Sequence, residues 1–379
     1  MTITLKDHAV PHISTVPANY GQYVELFVRE RNGTPAGASS RRAVLMLHGR
    51  SAPVLASFDL QYKTYNWADS LAQAGYDVFM MDLQGNGRSP RPRMEDPSNV
   101  NPALHTTLLK PNPLDGQRTP SYPYQLNNSQ SDWDELNTVV EYILNLRGVD
   151  PRISFIGWSA ASFVMGPYAA YHQDAVRDLF LLAPIFPPGG RADPPSPLPQ
   201  PGFPTNLSTR KGVQDSWDKE VQSCDLQRES GMVDVVWNAF MDNDPIGRTW
   251  GNPPSYPEGV SRFRNAVWWG WNNATAARFS GTEVCIVYGE NDQIANTTNS
   301  DAQLNFSVPS LYAALTSAAK TMIKVACAGH NMPWERQHIN LHKLSKRWLK
   351  IGADGFGTGV SGLGYNSYYM DMNGTLTKI

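Results

Sequence analysis

Charge is scarce in this chain. Asp, Glu, Lys and Arg make up only 17% of the 379 residues, against 41% hydrophobic residues, and the formal net charge is −2. A disordered or heavily solvated chain shows the opposite balance, so the composition implies a globular protein with a substantial core. So small a net charge offers no attraction to a polyanion, and neither nucleic acid nor an acidic membrane surface is expected as a partner. Cysteine is scarcer still. Cys224, Cys285 and Cys327 are odd in number and not closely paired, so they do not read as a disulfide framework. No CxxC or His-rich cluster suggests a metal, and nothing calls for a cofactor. No stretch of about 18 apolar residues, the length of a membrane-spanning helix, is present. Met1 to His8 lacks an apolar run of signal-peptide length. These absences imply a cytoplasmic, soluble protein. Sequons such as Asn206-Leu207-Ser208 occur, but they arise often by chance. A homodimer is left open.

The length allows one large α/β domain with an insertion, or two ordinary domains. Residues 22–30 alternate apolar and polar, which predicts an exposed early strand. Continuous apolar runs at 43–47, 76–83, 153–156, 179–185 and 284–287, with a shorter one at 324–326, predict strands buried on both faces of a parallel sheet. Helical patterns lie between them. One starts at a cap formed by Ser131 or Asp132 and runs to about residue 146, with Leu136, Val139, Val140 and Ile143 on one face. Others cover residues 160–172 and 333–349. Strands alternating with helices give βαβ units and a mainly parallel sheet.

Two irregular stretches interrupt this order. Residues 89–130 are rich in Pro, Asn and Ser, and a loop of that length is functional or disordered; a place at the entrance of a pocket is expected for it. Residues 186–280 begin with a Pro- and Gly-rich run and then become aromatic. Six of the eleven tryptophans lie there: Trp217, Trp237, Trp250, Trp268, Trp269 and Trp271. An aromatic insertion between two sheet strands suggests a cap over an apolar pocket, with most of these rings forming the cap's own core and one or two facing substrate. The division expected is a first part of the core at 1–185, a cap at 186–280, and a second part of the core at 281–379 ending in a Gly-rich tail. That tail holds Tyr365, Tyr368, Tyr369 and Met370 and reads as a tether, a docking segment or partly disordered chain.

The chemistry centres on Gly157-Trp158-Ser159-Ala160-Ala161, which follows a buried strand and precedes a helix. A tight strand-to-helix turn exposes the serine hydroxyl and needs small residues two positions before and after it, because strand and helix pass close together. Gly157 and Ala161 meet that demand. Two partners follow in chain order. Asp292 lies in the turn after the strand at 284–287, with Glu290 as the alternative acid. His330 lies after the next strand. Each strand delivers one residue to the same edge of the sheet, where ligands bind in open α/β folds. In this reading His330 takes the Ser159 proton as the oxygen attacks a carbonyl, and Asp292 holds the imidazole tautomer. Two N–H donors are needed for the oxyanion. Ala160 supplies one, and the loop after His48-Gly49 supplies the other through Arg50, with Ser51 as the runner-up. Trp158 and Ser51 are candidate substrate contacts, although Trp158 could instead pack beneath the turn. The other histidines, His8, His12, His105, His172, His338 and His342, fall in terminal, loop or surface-helix contexts.

Taken together, His48-Gly49, the segment Asp82-Leu83-Gln84-Gly85-Asn86-Gly87-Arg88-Ser89, the elbow at 157–161, Asp292 and His330 resemble the α/β-hydrolase superfamily. They span residues 43 to about 350 in the family's order. Ala161 departs from the usual GxSxG. The resemblance implies an α/β-hydrolase fold: a mostly parallel sheet of about eight strands flanked by helices, with a cap inserted after the sixth. It implies a serine hydrolase without a cofactor, cleaving a carboxylic ester or lactone of a bulky apolar or aromatic small molecule through an acyl-enzyme. Hydrolysis of a C–C bond beside a ketone is the alternative. A non-catalytic ligand-binding protein on the same scaffold fits less well, because the triad is intact.

Overall fold

A computed structural model of the chain describes residues 3–116, 118–146, 148–221, 224, 226–251, 258–297, 305–356 and 366–379. Its strands are β1 (Thr4–Ile13), β2 (Tyr23–Asn32), β3 (Ala43–Leu47), β4 (Asp77–Met81), β5 (Asn127–Asn128), β6 (Ile153–Trp158), β7 (Val176–Leu182), β8 (Thr205–Ser208), β9 (Ser261–Arg264), β10 (Ala266–Val267), β11 (Glu283–Gly289), β12 (Lys320–Val325), β13 (Asn366–Met370) and β14 (Leu376–Lys378). Ten of them form one sheet in the order β1-β2-β4-β3-β6-β7-β11-β12-β13-β14. Every neighbouring pair from β4 to β13 is parallel, and antiparallel pairs close the two ends. The fully buried runs of β3, β4 and β6 are those the apolar sequence predicted. Helices occupy the crossovers: α1 (Val54–Phe58), α2 (Trp67–Ala72), α3 (Ser129–Leu144), α4 (Ser162–Tyr171), α9 (Val308–Ala314) and α10 (His338–Ile351).

Several expectations need correction. The sheet has ten strands rather than eight, because the tail adds β13 and β14 at one edge. Tyr368 and Met370 are buried there, so this part of the tail is neither tether nor disordered chain; Tyr365 lies outside the described residues. Strand β1 escaped the sequence reading because its buried face carries His8, Val10 and His12, and Pro11 interrupts the pattern. Both histidines meet polar neighbours. His8 Nε2 lies 2.8 Å from Glu30 Oε2, and His12 Nδ1 lies 2.8 Å from Thr138 Oγ1. His105, His338 and His342 are buried as well, and only His172 of that group is exposed. The cap of α3 is Asn128, whose side chain accepts from Ser131 N–H, while Ser131 reaches back to Asn128 N–H. Asp132, read as a candidate cap, is fully buried for another purpose.

That purpose is the seam between the sheet domain and the inserted segment, which carries α5 (Arg210–Val221), α6 (Met232–Met241), α7 (Pro245–Thr249) and α8 (Asn273–Ala276). Arg264 of β9 grips Asp132 with both terminal nitrogens. Arg262 and Arg91 share Asp244, and Arg88 donates to Asn243 Oδ1 at 2.9 Å. The long stretch at 89–130 is ordered against this segment. Val100, Leu108, Leu109 and Leu114 form a small core with Leu207, Trp250 and Val260, and β5 pairs with β10. Among the described residues, none from 89–130 lines the main cavity. The stretch therefore works as part of the inserted layer rather than as an entrance. No helix among the described residues is long and apolar enough to cross a membrane.

Buried charges must be paired, because an orphaned one keeps the whole desolvation penalty. Arg264→Leu alone is therefore expected to cost about 3–5 kcal/mol, read from guanidinium melts. Adding Asp132→Leu should recover most of that loss, and a double variant as unstable as the single one would show that the pair is not the cause.

Candidate active site

Strand β6 runs out of the core into Ser159, whose φ is +58°. That conformation is strained for a residue with a Cβ, by roughly 1–3 kcal/mol. The turn Ser159–Ala161 then leads into α4. A Cβ at Gly157 would lie 3.2 Å from both Ala161 Cβ and Met165 Sδ. Strand and helix pass this close only because Gly157 and Ala161 are small, and alanine suffices at the second position.

Two further turns bring partners to Ser159. Its hydroxyl donates to His330 Nε2 at 2.8 Å, and His330 Nδ1–H donates to Asp292, 3.0 Å from Oδ2 and 3.2 Å from Oδ1. Asp292 is itself fixed, with Oδ1 accepting from Ile294 N–H at 2.9 Å and Ala295 N–H at 2.8 Å. Glu290, the alternative acid, is exposed, accepts from Cys327 N–H and stands 3.8 Å from Lys324 Nζ. It does not meet His330. Burial alone would lower the pKa of His330. The charge and hydrogen bond of Asp292, with Glu220 and Glu335 nearby, outweigh it, and the pKa is raised.

The loop after β3 lies against the serine. A Cβ at Gly49 would come within 3.4 Å of Ser159 Cβ, which sets Gly49 beside the nucleophile candidate. His48 braces this loop from below, accepting from Leu83 N–H at Nε2 (3.2 Å) while Nδ1 faces Gly49 O (2.6 Å). Burial pulls its pKa down to about 3, so it stays neutral. The segment at 82–89 supplies the rest of the brace. Asp82 Oδ1 accepts from Val54 N–H and Oδ2 from Arg88 N–H, while Asn86 donates to Arg50 O. Its glycine-rich pattern thus serves the loop rather than a ligand.

A cavity of about 430 Å³ opens on Ser159 and His330 and brings the candidate contacts together. Arg50, Ser51, Trp158 and Ala160 all line it, with Phe163, Phe240, Trp268, Ile294, Phe306 and Trp334. Of the six tryptophans in the inserted segment, Trp268 alone lines it among the described residues, stacked on Phe163 at 4.7 Å. Trp158 lines the cavity, packs edge-on to Trp334 and donates Nε1–H to His330 O at 3.0 Å.

Sequence reasoning missed what holds the His330 turn. Glu220 of α5 accepts from His330 N–H at 2.8 Å with one oxygen and from Gln293 N–H at 3.2 Å with the other. It thus ties the histidine turn to the acid turn. Glu335 accepts from Gly329 N–H and Gln227 with one oxygen and from Trp217 Nε1–H with the other. Burial pushes its pKa up to about 7. Gly329 has to be glycine, since a Cβ there would sit 2.7 Å from Glu220 Oε2 and 2.9 Å from Glu335 Oε1. A disulfide between Cys224 and Cys327 completes the attachment, which corrects the reading of the cysteines as unpaired. Such a bridge persists where thiols are kept oxidised, so the cysteines do not speak for a reducing compartment. A separation of 103 residues left no local spacing to find it by. Glu220 stands 110 residues from its histidine, with no motif around it.

Compared with known proteins, residues 42–337 match the family model described as alpha/beta hydrolase fold. No curated protein matches the sequence. Among solved structures, a serine hydrolase involved in carbazole degradation is 12% identical, covering 92% of this chain and 100% of that one at a TM-score of 0.49. The 2-hydroxy-6-oxo-6-phenylhexa-2,4-dienoate hydrolase from Rhodococcus sp. strain RHA1 is 16% identical, covering 91% and 99%, with a TM-score of 0.47. A thermophilic esterase from Thermogutta terrifontis is 16% identical, covering 90% and 98%, with a TM-score of 0.46.

The network around His330 carries its own expectation. Glu220→Gln removes a negative charge that raises the pKa of His330, so the acid limb of any activity resting on neutral His330 should move to lower pH. It also replaces one acceptor oxygen with an NH₂, which should loosen the turn and lower kcat. A pH–rate profile with an unmoved acid limb would show that Glu220 is only structural.

Proposed function

Because the chain belongs to the alpha/beta hydrolase fold family, we propose that it is a serine hydrolase acting on a carboxylic ester or lactone through an acyl-enzyme. The observation that carries this reading is the unbroken hydrogen-bond chain from Ser159 through His330 to Asp292. Ser159 Oγ attacks the carbonyl carbon while His330 Nε2 takes its proton, and Asp292 stabilises the imidazolium that forms. The carbonyl oxygen gains negative charge between the N–H groups of Ala160 and Arg50, worth about 10²–10³ in rate for each donor. His330 then returns the proton to the leaving alcohol, and in the second half-reaction it deprotonates the water that releases the acid.

The substrate class follows from the cavity. A space of about 430 Å³ walled by Trp158, Phe163, Phe240, Trp268 and Trp334 suits a bulky apolar or aromatic molecule held by buried ring area.

A panel of p-nitrophenyl esters tests the reading. The wild-type enzyme should hydrolyse them with a burst of nitrophenol, and Ser159→Ala should abolish both burst and turnover. Asp292→Asn should lower kcat by about 10⁴, since it no longer holds the correct tautomer, whereas Glu290→Gln should leave it almost unchanged. Inertness to every ester combined with cleavage of a β-diketone would assign the site to C–C bond hydrolysis instead.

A further inference from the structure

The cavity has one cation that no acidic side chain answers among the described residues. Arg50 lines it beside Ser159, and its guanidinium stands 5.6 Å from the ring of Phe263. Among the described residues it has no carboxylate partner, while the other arginines of the same seam do. Arg88 lies 3.7 Å from Asp7, Arg91 and Arg262 share Asp244, and Arg264 holds Asp132. Nor does the cavity supply an anion from its described lining. Apart from His330, every other side chain lining it is uncharged. The carboxylate that serves His330, Asp292, is taken up by that histidine and two backbone N–H groups. Arg50 is solvent-exposed where it lines the cavity. The protein packed around it still lowers its pKa, with no neighbouring anion to offset the effect. Its backbone is pinned as well, because Asn86 donates to Arg50 O at 3.1 Å and also accepts from Arg264 N–H.

A guanidinium without an acidic partner among the described residues, lining an otherwise neutral and largely apolar cavity, is a site for a carboxylate, which it can meet with two parallel hydrogen bonds. We propose that the substrate carries a carboxylate in addition to the bond cleaved, and that the Arg50 guanidinium binds it while the Arg50 N–H faces the oxyanion. This deepens the proposed function and rests on its assignment of the site. The favoured compound is then the monoester of a dicarboxylic acid, or an ester of a hydroxy acid, with an apolar body against Trp268 and Phe163.

Two measurements test the proposal. The first compares kcat/KM for mono-p-nitrophenyl succinate, glutarate and adipate with the neutral p-nitrophenyl ester of each chain length. At least one anionic ester should be preferred by about tenfold to a hundredfold, the worth of a charge-assisted pair. Arg50→Gln, which retains the backbone N–H, should remove that preference, and Arg50→Lys should restore part of it. The second uses Ser159→Ala and calorimetry: 4-phenylbutyrate should bind at least about tenfold more tightly than 4-phenylbutanol, an advantage that shrinks with added salt and vanishes with Arg50→Gln. If neither ester series is turned over but the binding preference persists, the ester reading falls and the anion site stands. If neutral esters are turned over and no carboxylate gains an advantage, or if Arg50→Gln leaves the advantage intact, the anion site is overturned.

Discussion

The imidazole of His330 has to stand within hydrogen-bond distance of a serine on one strand and a carboxylate on another, and three turns must agree on its position. Each partner leaves the same edge of the sheet: Ser159 from β6, Asp292 from β11 and His330 from β12. The strands themselves are held rigidly by parallel pairing in a dry core, so the freedom that remains lies in the turns. Much of the polar structure around the site restrains them. The strain at Ser159 is sustained by the close pass of β6 and α4, which Gly157 and Ala161 permit. Asp292 is fixed by two backbone N–H groups. The His330 turn is held by Glu335 from the segment that follows it and, from outside the sheet domain, by Glu220 and the Cys224–Cys327 bridge.

This last arrangement changes what the inserted segment is. A cap that only roofs a pocket can swing away without disturbing the chemistry below. Here α5 sends a carboxylate into the turns of His330 and Asp292, and a covalent bridge joins Cys224, three residues beyond α5, to the residue three before His330. On the opposite side, buried arginine–aspartate pairs join β9 and the 244 turn to α3 and to the loop after β4. Separating those pairs would leave charges stranded in low dielectric, so the layer is fixed at both ends. The stretch at 89–130 lies within the same layer and thickens it.

The chemistry of the cavity follows from what that seam uses up. Most of the charge brought to the join between sheet and inserted layer is neutralised there, and the aromatic rings that remain give the space above Ser159 an apolar wall. Beside such a wall one unneutralised guanidinium bears on which ligand is favoured, because no acid among the described residues answers it.

Sequence alone placed the members of the proposed engine. Short unbroken apolar runs between helical patterns suit strands buried on both faces, and the small residues around Ser159, with Asp292 and His330 in turns after later strands, follow from local sterics and from the order of the elements. The choice between Asp292 and Glu290 was nearly legible, since both lie in one turn; only the direction of that turn decided it. Tertiary structure alone decided how the engine is held. Glu220 and Cys224 lie more than 100 residues from the turn they secure, and neither sits in a pattern that a periodicity would reveal. Strand β1 was hidden because histidines, hydrogen-bonded to Glu30 and Thr138, occupy its buried face where apolar residues would have announced it. The unpaired state of Arg50 was hidden for the same reason: whether a cation has a partner depends on which distant side chains fold beside it, and a linear sequence does not contain that distance.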